Sequence, residues 1–385
     1  MKPKRNVWLM YAIALLQGMV FYGPIATLYR QAAGITIFQI TIIESISLIL
    51  CLLLELPWGI VADKVGYKKT MIICSGLYFV SKIIFWQADS FTEFLLERIL
   101  LSVIIAGLSG VDTSVLYLSC EKGKSQKAFG IYNNLQTVGL LFAALTYSVF
   151  IKNDYRMAGL LTAITYGVAA ILALGLSEVK EESCDSKATP KQFLKLLKET
   201  LGNKRLLLFL IGVALLNETH QTITVFLNQL QYQKCGISNW GIGLIYIGVT
   251  LTGLLGVFSH RATRRLGIMP LITIIFFSVI SACAVLAITS SAVMSVVTII
   301  ILRIAFSLFQ PLQIDLQNKQ VITQNRATEL SINAVLLDSV GIGTNLLYGK
   351  LAELSLSFAM ISGSALCLIG YICIFIWKAK FIIAK

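Results

Sequence analysis

Residues 59–69 read GIVADKVGYKK and join two long apolar runs of the chain. Each run is long enough to cross a bilayer, because about 20 helical residues rising about 1.5 Å each cover roughly 30 Å of hydrocarbon. Gly59 and Gly66 allow one helix to end and another to begin within a few residues. The lysines of this short turn predict that it lies on the cytoplasmic side, so it also sets the orientation of the chain.

Apolar runs separated by short polar turns continue along the whole sequence. Its 385 residues are 57% hydrophobic and 13% charged, with a mean hydropathy of +0.80. So little charge excludes a soluble protein of this size and predicts an all-α polytopic membrane protein. The twelve predicted spans are residues 7–28, 38–61, 70–88, 93–119, 127–150, 155–177, 205–229, 239–259, 268–289, 291–316, 327–349 and 355–377.

Lysine and arginine are sorted between alternate loops. With both termini cytoplasmic, the external loops hold only Arg30, Lys152, Arg156, Lys234 and Lys350. This sorting explains the net charge of +13, so we expect no nucleic-acid partner. The first run lacks a cleavage site and is predicted to be the first span of a protein of the bacterial cytoplasmic membrane. The eight cysteines show no metal spacing, and we expect no cofactor.

An internal repeat divides the chain into halves. Residues 256–265 are a degraded copy of the 59–69 turn, in which His260 takes the place of Asp63. An arginine followed by an aspartate, 98 and 112 in span four, returns at 303 and 315 in span ten, although coincidence is an alternative for these pairs. The predicted domains are a six-helix bundle over 1–177, a cytoplasmic linker over 178–204 and a second six-helix bundle over 205–385. Duplicated halves place a substrate site between them, near the middle of the membrane.

The 59–69 turn fits G-x3-D-[RK]-x-G-x-[RK]-[RK] and resembles the signature loop of the major facilitator superfamily. The resemblance covers essentially the whole chain and implies transport by alternating access. It also implies that Asp63 holds the cytoplasmic gate closed against the start of span eleven, near Ala327–Leu330. Glu55, eight residues earlier, is interpreted as a gating or packing residue, and the lysines could instead be only a topology signal. The predicted gating set is Glu55, Gly59, Asp63, Lys64, Gly66, Lys68 and Lys69.

Ionisable residues within the apolar runs are the main candidates for chemistry, because each is costly unless it is paired or solvated. Glu218 and Asp338 lie near the bilayer centre by helical rise. Burial disfavours the charged carboxylate, which suits proton coupling or recognition of a cation, although a structural hydrogen bond is the alternative. The predicted coupling and substrate set also includes Asp112, Arg98, Asp315 and Arg303. Arg98 could instead pair with Glu93 or Glu97.

Polar side chains recur at helical spacing on four spans, and in lipid such faces must contact protein or water. The predicted pathway-lining residues are Gln17 and Tyr22 in span one, Asn133 and Gln136 in span five, Asn217 and Gln221 in span seven, and Gln310 and Gln313 in span ten. The resemblance itself implies that spans one, four, seven and ten line the cavity. Hydrogen bonding between helices without any substrate is the competing interpretation.

The predicted function is proton-coupled efflux of a small lipophilic or cationic compound by a secondary transporter. No nucleophile stands beside a base and no phosphate-binding loop is present, so we do not expect an enzyme. Span five lacks proline, and Ser102 stands where the family's antiporters prefer glycine; both weaken the case for antiport. The alternatives are proton-coupled uptake of a polar metabolite and a membrane receptor or scaffold. We expect a monomer whose partners are its substrate, protons and membrane lipids.

Overall fold

The computed structural model describes residues 2–109, 111–120, 125–179, 198, 200–320 and 326–383. Every regular element in these ranges is helical, which confirms the predicted fold class. Eleven helices among the described residues are long and apolar enough to cross a membrane, so the chain is a multi-pass membrane protein. The predicted span eleven is also a 29-residue helix, but polar residues such as Asn333, Asp338 and Asn345 reduce its hydropathy.

The helices of the first half follow the predicted order, and we keep the span numbers. Span one is broken into Lys2–Gly18, a 3-10 turn Gly23–Ile25 and Ala26–Ala32, and spans two and three are Ile37–Val65 and Tyr67–Gln87. Span four comprises Phe91–Leu108 and Val111–Ser119, span five runs over Ser125–Thr146 into a π-helical turn at Tyr147–Ile151, and span six is Tyr155–Leu174.

The second half contains two interrupted helices. Span seven comprises Lys204–Gln221, a π-helical turn Thr222–Leu227 and Asn228–Lys234, and span eight comprises Asn239–Thr252, a 3-10 turn Gly253–Phe258 and Ser259–Leu266. Spans nine to twelve are Ile268–Ile288, Ala292–Gln320, Arg326–Leu354 and Leu356–Ile383. Pro311 lies inside span ten, where it removes one backbone hydrogen bond.

Side chains satisfy the first amide groups of several helices. Ser90 and Glu93 form a reciprocal capping box at the start of span four. The Asp154 carboxylate accepts a hydrogen bond from the Met157 amide at the start of span six, and Asn203 caps span seven in the same way. The sharp turns that separate neighbouring spans are therefore encoded locally.

Two glycines mark equivalent joints in the two halves. Gly66 precedes span three with φ +94°, and Gly267 precedes span nine with φ +84°. Both conformations are strained for residues that carry a Cβ. Asp63 lies three residues before Gly66, and the residue three before Gly267 is Arg264. The prediction that His260 takes the place of Asp63 is therefore wrong. The two registers differ by four residues, which is about one helical turn.

The chain divides into two compact units. The first contains Met1–Cys184 and Asn239–Ile247, and the second contains Asp185–Ser238 and Gly248–Lys385. In the first unit, Met10, Ile13 and Ala14 of span one pack in a core that includes Ala169 and Ala173 of span six. In the second, span seven approaches span twelve so closely that a Cβ on Gly212 would lie 2.7 Å from the Gly370 carbonyl oxygen. Small residues at helix contacts allow this close packing in both units.

Candidate functional site

A buried carboxylate in the first unit is shared by two arginines. Glu44 of span two is 7% exposed and lies 3.5 Å from Arg30 Nη1, while its other oxygen pairs with the guanidinium of Arg98 of span four. Arg30 also lies over the ring of Phe85, with 5.6 Å between the guanidinium carbon and the ring centroid. The three charges join spans one, two and four, and their pairing offsets the cost of burying them.

A second buried ion pair lies in the same unit, inside an aromatic cage. Lys82 Nζ of span three is 3.5 Å from Glu97 Oε1 and donates a hydrogen bond of 3.0 Å to the Tyr22 hydroxyl. The ammonium also faces the rings of Tyr22, Tyr78 and Tyr166, with centroids 5.4–5.8 Å away. Aromatic faces attract a cation, so the cage stabilises the charged lysine where water is excluded.

The Arg30–Glu44–Arg98 cluster and the Lys82–Glu97 pair correct two predictions about charged residues of the first unit. The alternative prediction, that Arg98 pairs with Glu93 or Glu97, is wrong. Arg98 pairs with Glu44, while Glu93 caps its helix and Glu97 pairs with Lys82. Arg30 was expected in an external loop, but it lies in a helix and is only 6% exposed. Glu44 and Glu97 each have a cationic partner, so in this arrangement neither is available to a cationic ligand.

The candidate carboxylates of the second unit have different surroundings. Glu218 of span seven is half-buried, and its carboxyl packs on the backbone of span eleven at Gly341. A Cβ on Gly341 would lie 2.9 Å from Glu218 Cδ. Asp338 stands one helical turn before Gly341, is also half-buried, and is close enough to Glu218 for Coulombic repulsion. The structure therefore brings together the two carboxylates that the sequence placed at the centre of the membrane.

His220 lies on span seven, two residues after Glu218, and was not in the predicted set. Its imidazole is 2% exposed and stacks on Phe306 of span ten at 3.7 Å between ring centroids. Nε2 is 3.3 Å from the Thr224 hydroxyl, and Nδ1 has no hydrogen-bond partner among the described residues. The π-helical turn that begins at Thr222 follows directly, and such turns are frequent at functional sites.

Arg303 of span ten lies in the same region of the second unit as His220. It lies within electrostatic range of His220, and its guanidinium packs against the 3-10 turn of span eight. A Cβ on Gly253 would lie 2.8 Å from Arg303 Nη2. Spans seven, eight and ten thus meet in the region that holds the Arg303 guanidinium and the His220 ring. Thr219 and Thr222 tie span seven to span eleven through hydrogen bonds with Tyr348 (2.8 Å) and Asn345 (3.3 Å).

The predicted amides of this unit fall into two groups. Asn217 is half-buried and Gln313 is 7% exposed, and the carbonyl oxygen of each side chain has no partner among the described residues. Gln221 and Gln310 are exposed on the surface of the helices. Asp315 is also exposed and pairs with Lys319 at 2.6 Å, one turn further along span ten. Asn217, Gln313 and His220 are thus at least half-buried, and each has a polar atom without a partner among the described residues.

The predicted residues of the first unit are scattered. Tyr22 is in the lysine cage, and the backbone carbonyl oxygen of Gln17 accepts a hydrogen bond of 2.7 Å from the Tyr166 hydroxyl. Asp112 is half-buried and accepts a 3.4 Å hydrogen bond from Tyr132. The two polar residues of span five differ: Asn133 is exposed, and Gln136 is half-buried.

Only part of the predicted gating set can be placed. The backbone of Gly59, Asp63 and Lys64 continues span two, but their side chains and that of Glu55 lie outside the described residues. Lys69 is exposed, and the Lys68 amide donates a 3.3 Å hydrogen bond to Glu178 Oε1 at the end of the first bundle. The same carboxylate would lie 3.2 Å from a Cβ on Gly66. Glu178 therefore anchors this end of the loop.

Comparison with known proteins gives one family. The model of the Major Facilitator Superfamily matches residues 7–344. An uncharacterized MFS-type transporter of Methanocaldococcus jannaschii is 26% identical over 141 residues, a match that spans 36% of this chain and 36% of that relative.

Two solved transporters share the fold over nearly their full length. The nucleoside transporter NupG matches with a TM-score of 0.80 and 18% identity, over 98% of this chain and 99% of that one. The D-xylose-proton symporter matches with a TM-score of 0.73 and 13% identity, over 98% of each chain. At these identities the likeness concerns the fold.

Proposed function

The chain belongs to the major facilitator superfamily, whose members are secondary transporters that work by alternating access, and from this premise we propose that it couples proton entry to the efflux of a small lipophilic or cationic compound. In this proposal Glu218 and Asp338 bind either protons or the substrate. In the proposed topology, the twelve spans form two six-helix bundles and both termini lie in the cytoplasm.

The observation that carries the proposal is the packing of the Glu218 carboxyl on span eleven at Gly341, three residues after Asp338 and within electrostatic range of it. Two like charges in a partly dry environment repel each other, and a bound proton or a cation removes the repulsion. One pair can therefore bind two competing cations in turn, which is what antiport requires. Glu44 and Glu97 are less suited to this task because each is already paired with a buried cation, Arg30 and Lys82 respectively.

The remaining predicted coupling residues receive narrower roles. We propose that Arg303 holds spans eight and ten together through its packing on Gly253. Arg98 serves to fix Glu44 in the first unit. Asp112 remains a second proton-binding candidate, since its half-buried carboxylate has a tyrosine partner. Asp315 is assigned to the helix surface, where Lys319 pairs with it.

Proton-coupled uptake of a polar metabolite is the second candidate function. The observation that favours it is a group of buried polar atoms in spans seven and ten that have no hydrogen-bond partner among the described residues, including Asn217 Oδ1, His220 Nδ1 and Gln313 Oε1. Buried polar atoms without partners are costly, and a hydroxylated substrate would supply the missing hydrogen bonds. The Glu218–Asp338 pair would then carry only the proton.

The experiment is proton release in weakly buffered detergent solution when candidate substrates are added to the purified protein. Glu218→Gln and Asp338→Asn are compared with Glu353→Gln, which changes an exposed carboxylate of span eleven. Antiport predicts release with cationic dyes in the wild type and in Glu353→Gln, and none in the two test variants. Substrate binding without proton movement in the wild type would overturn the coupling role.

The direction of transport, efflux or uptake, is tested in membrane vesicles. Efflux predicts that everted membrane vesicles accumulate cationic dye only while a proton gradient is maintained. Uptake predicts that right-side-out vesicles accumulate one polar metabolite and are indifferent to dyes. If neither compound moves in either vesicle, the transport proposal for both substrate classes is wrong.

A further inference from the structure

A groove of about 680 Å³ opens on the surface of the second unit, between the start of span nine and the end of span twelve. Met269, Pro270 and Ile274 form one wall, and Tyr371 and Phe375 form the other. Ile274 is 50% exposed and Phe375 is 56% exposed. Because both belong to apolar membrane-spanning helices, lipid chains are the surroundings that such side chains require.

The groove changes in chemistry along its length. Lys378 lines one end, near the first turn of span nine. Tyr371 lies seven residues earlier on span twelve, which is about 10 Å deeper by helical rise. There its hydroxyl is 3.1 Å from the Thr273 hydroxyl, and its ring packs edge-on against Phe277 at 5.3 Å. A cation at the mouth and an apolar interior match an amphiphile with an anionic head.

A basic helix immediately precedes span nine, in whose first turn Met269 and Pro270 line the groove. Ser259–Leu266 has exposed arginines at 264 and 265 in its last turn, and Met269 follows four residues after Arg265. On the approach to this helix, Val257 is 76% exposed and Phe258 is 45% exposed. Arg261 lies over the ring of Phe258 at 5.6 Å. Exposed apolar side chains beside cations are typical of a helix at the interface of an anionic membrane.

We propose that this groove is a binding site for an anionic phospholipid. The phosphate group binds Lys378 and the arginines at 264 and 265, and one acyl chain follows Ile274, Tyr371 and Phe375 between spans nine and twelve. This assignment explains why cations and an apolar groove share one end of the second unit, and it is independent of the transported substrate. It also separates a specific lipid from the bulk bilayer, because the choline cation of a zwitterionic phospholipid offsets the charge of its phosphate, whereas an anionic phospholipid keeps a net negative charge beside the three cations.

The test is lipid binding by the purified full-length protein, measured by native mass spectrometry and by thermal unfolding in detergent. Phosphatidylglycerol is compared with phosphatidylcholine of the same acyl chains and with glycerol phosphate, which has no chains. We expect phosphatidylglycerol to bind more tightly than either. Lys378→Gln and the double variant Arg264→Gln/Arg265→Gln should weaken it by about fivefold for each cation removed. Lys350→Gln, at an exposed lysine of the same unit, is the matched control.

A groove-filling variant, Thr273→Trp, tests the chain-binding part. It should reduce retention of phosphatidylglycerol while the basic residues are intact, with folding checked by size-exclusion chromatography. Equal binding of the two phospholipids, or phosphatidylglycerol binding that the basic-residue variants leave unchanged, would overturn the proposal. Glycerol phosphate binding as tightly as the whole lipid would also overturn it, since the site would then be a phosphate site alone.

Discussion

The carboxyl group of Glu218 packs directly on the backbone of Gly341, where a Cβ would be 2.9 Å from Glu218 Cδ. Such a distance is too short for a carbon–carbon contact, so any larger residue at 341 must displace the carboxyl. Gly341 and Asp338 both lie on span eleven. The glycine therefore determines how closely the Glu218 carboxyl of span seven can approach this part of span eleven.

We predict that Gly341→Ala impairs coupling more than folding. Substrate-driven proton release should fall by about tenfold, equivalent to about 1.4 kcal/mol, because the added methyl group displaces the Glu218 carboxyl from its position on span eleven. The control is Gly343→Ala, two residues along the same helix, where a Cβ would meet nothing within 4 Å. Proton release that is equal in the two variants would show that the packing of Glu218 on Gly341 is irrelevant to coupling.

Glu44 should be more important for stability than either arginine it pairs with. Glu44→Gln leaves the buried Arg30 guanidinium and the half-buried Arg98 guanidinium without the carboxylate that both pair with, and breaking a buried ion pair costs about 3–5 kcal/mol. Arg98→Gln should cost less, because Arg30 still pairs with Glu44 and the Arg98 side chain is already 23% exposed. Thermal unfolding of the purified variants measures this order.

An exposed ion pair of the same unit provides the control for Glu44. Asp89→Asn breaks the Arg156–Asp89 pair, whose side chains are 44% and 70% exposed. Exposed pairs contribute about 0–1 kcal/mol, so this variant should unfold close to the wild type. A Glu44→Gln protein as stable as Asp89→Asn would contradict the buried role of the Arg30–Glu44–Arg98 cluster.

The Lys82–Glu97 pair should be replaceable as a unit but not one residue at a time. Lys82→Met leaves Glu97, 1% exposed, as an unpaired charge, and we expect a loss of about 3–5 kcal/mol. Lys82→Met/Glu97→Met should recover most of that stability, because both charges are removed together. A double-mutant cycle by thermal unfolding gives the coupling energy. Strictly additive effects would mean that the two side chains do not interact.

Much of the fold could be predicted from the sequence, because each membrane span is a continuous apolar run and its ends are marked locally. Span eleven is the exception: it forms a 29-residue helix, but its polar residues lower its hydropathy below that of the other spans. Breaks within helices are less visible. Nothing in the sequence around Thr222 or Gly253 distinguishes a π-helical or 3-10 turn from a regular helix.

The candidate site was harder to predict, because pairing across helices depends on how each helix is rotated. Glu44 and Arg98 are 54 residues apart, and their contact follows from packing and not from any motif. Arg30 was missed because it lies beyond the predicted end of span one. A usable signal was present all the same: Glu44 and Lys82 are charged residues inside apolar runs, which require partners.

The glycines of the two equivalent joints provide the last prediction. Gly66 and Gly267 both have a positive φ, and Ala in such a conformation costs about 1–3 kcal/mol. Gly66→Ala should cost more than Gly267→Ala, because its Cβ would lie 3.2 Å from Glu178 Oε1, whereas the nearest atom to a Cβ at 267 is 3.7 Å away. Gly76→Ala is the control: it lies inside a helix with nothing within 4 Å and should stabilise the protein by about 0.5–1 kcal/mol. Thermal unfolding in detergent measures all three. If Gly66→Ala and Gly76→Ala shift stability in the same direction, the joint at Gly66 is not strained as described.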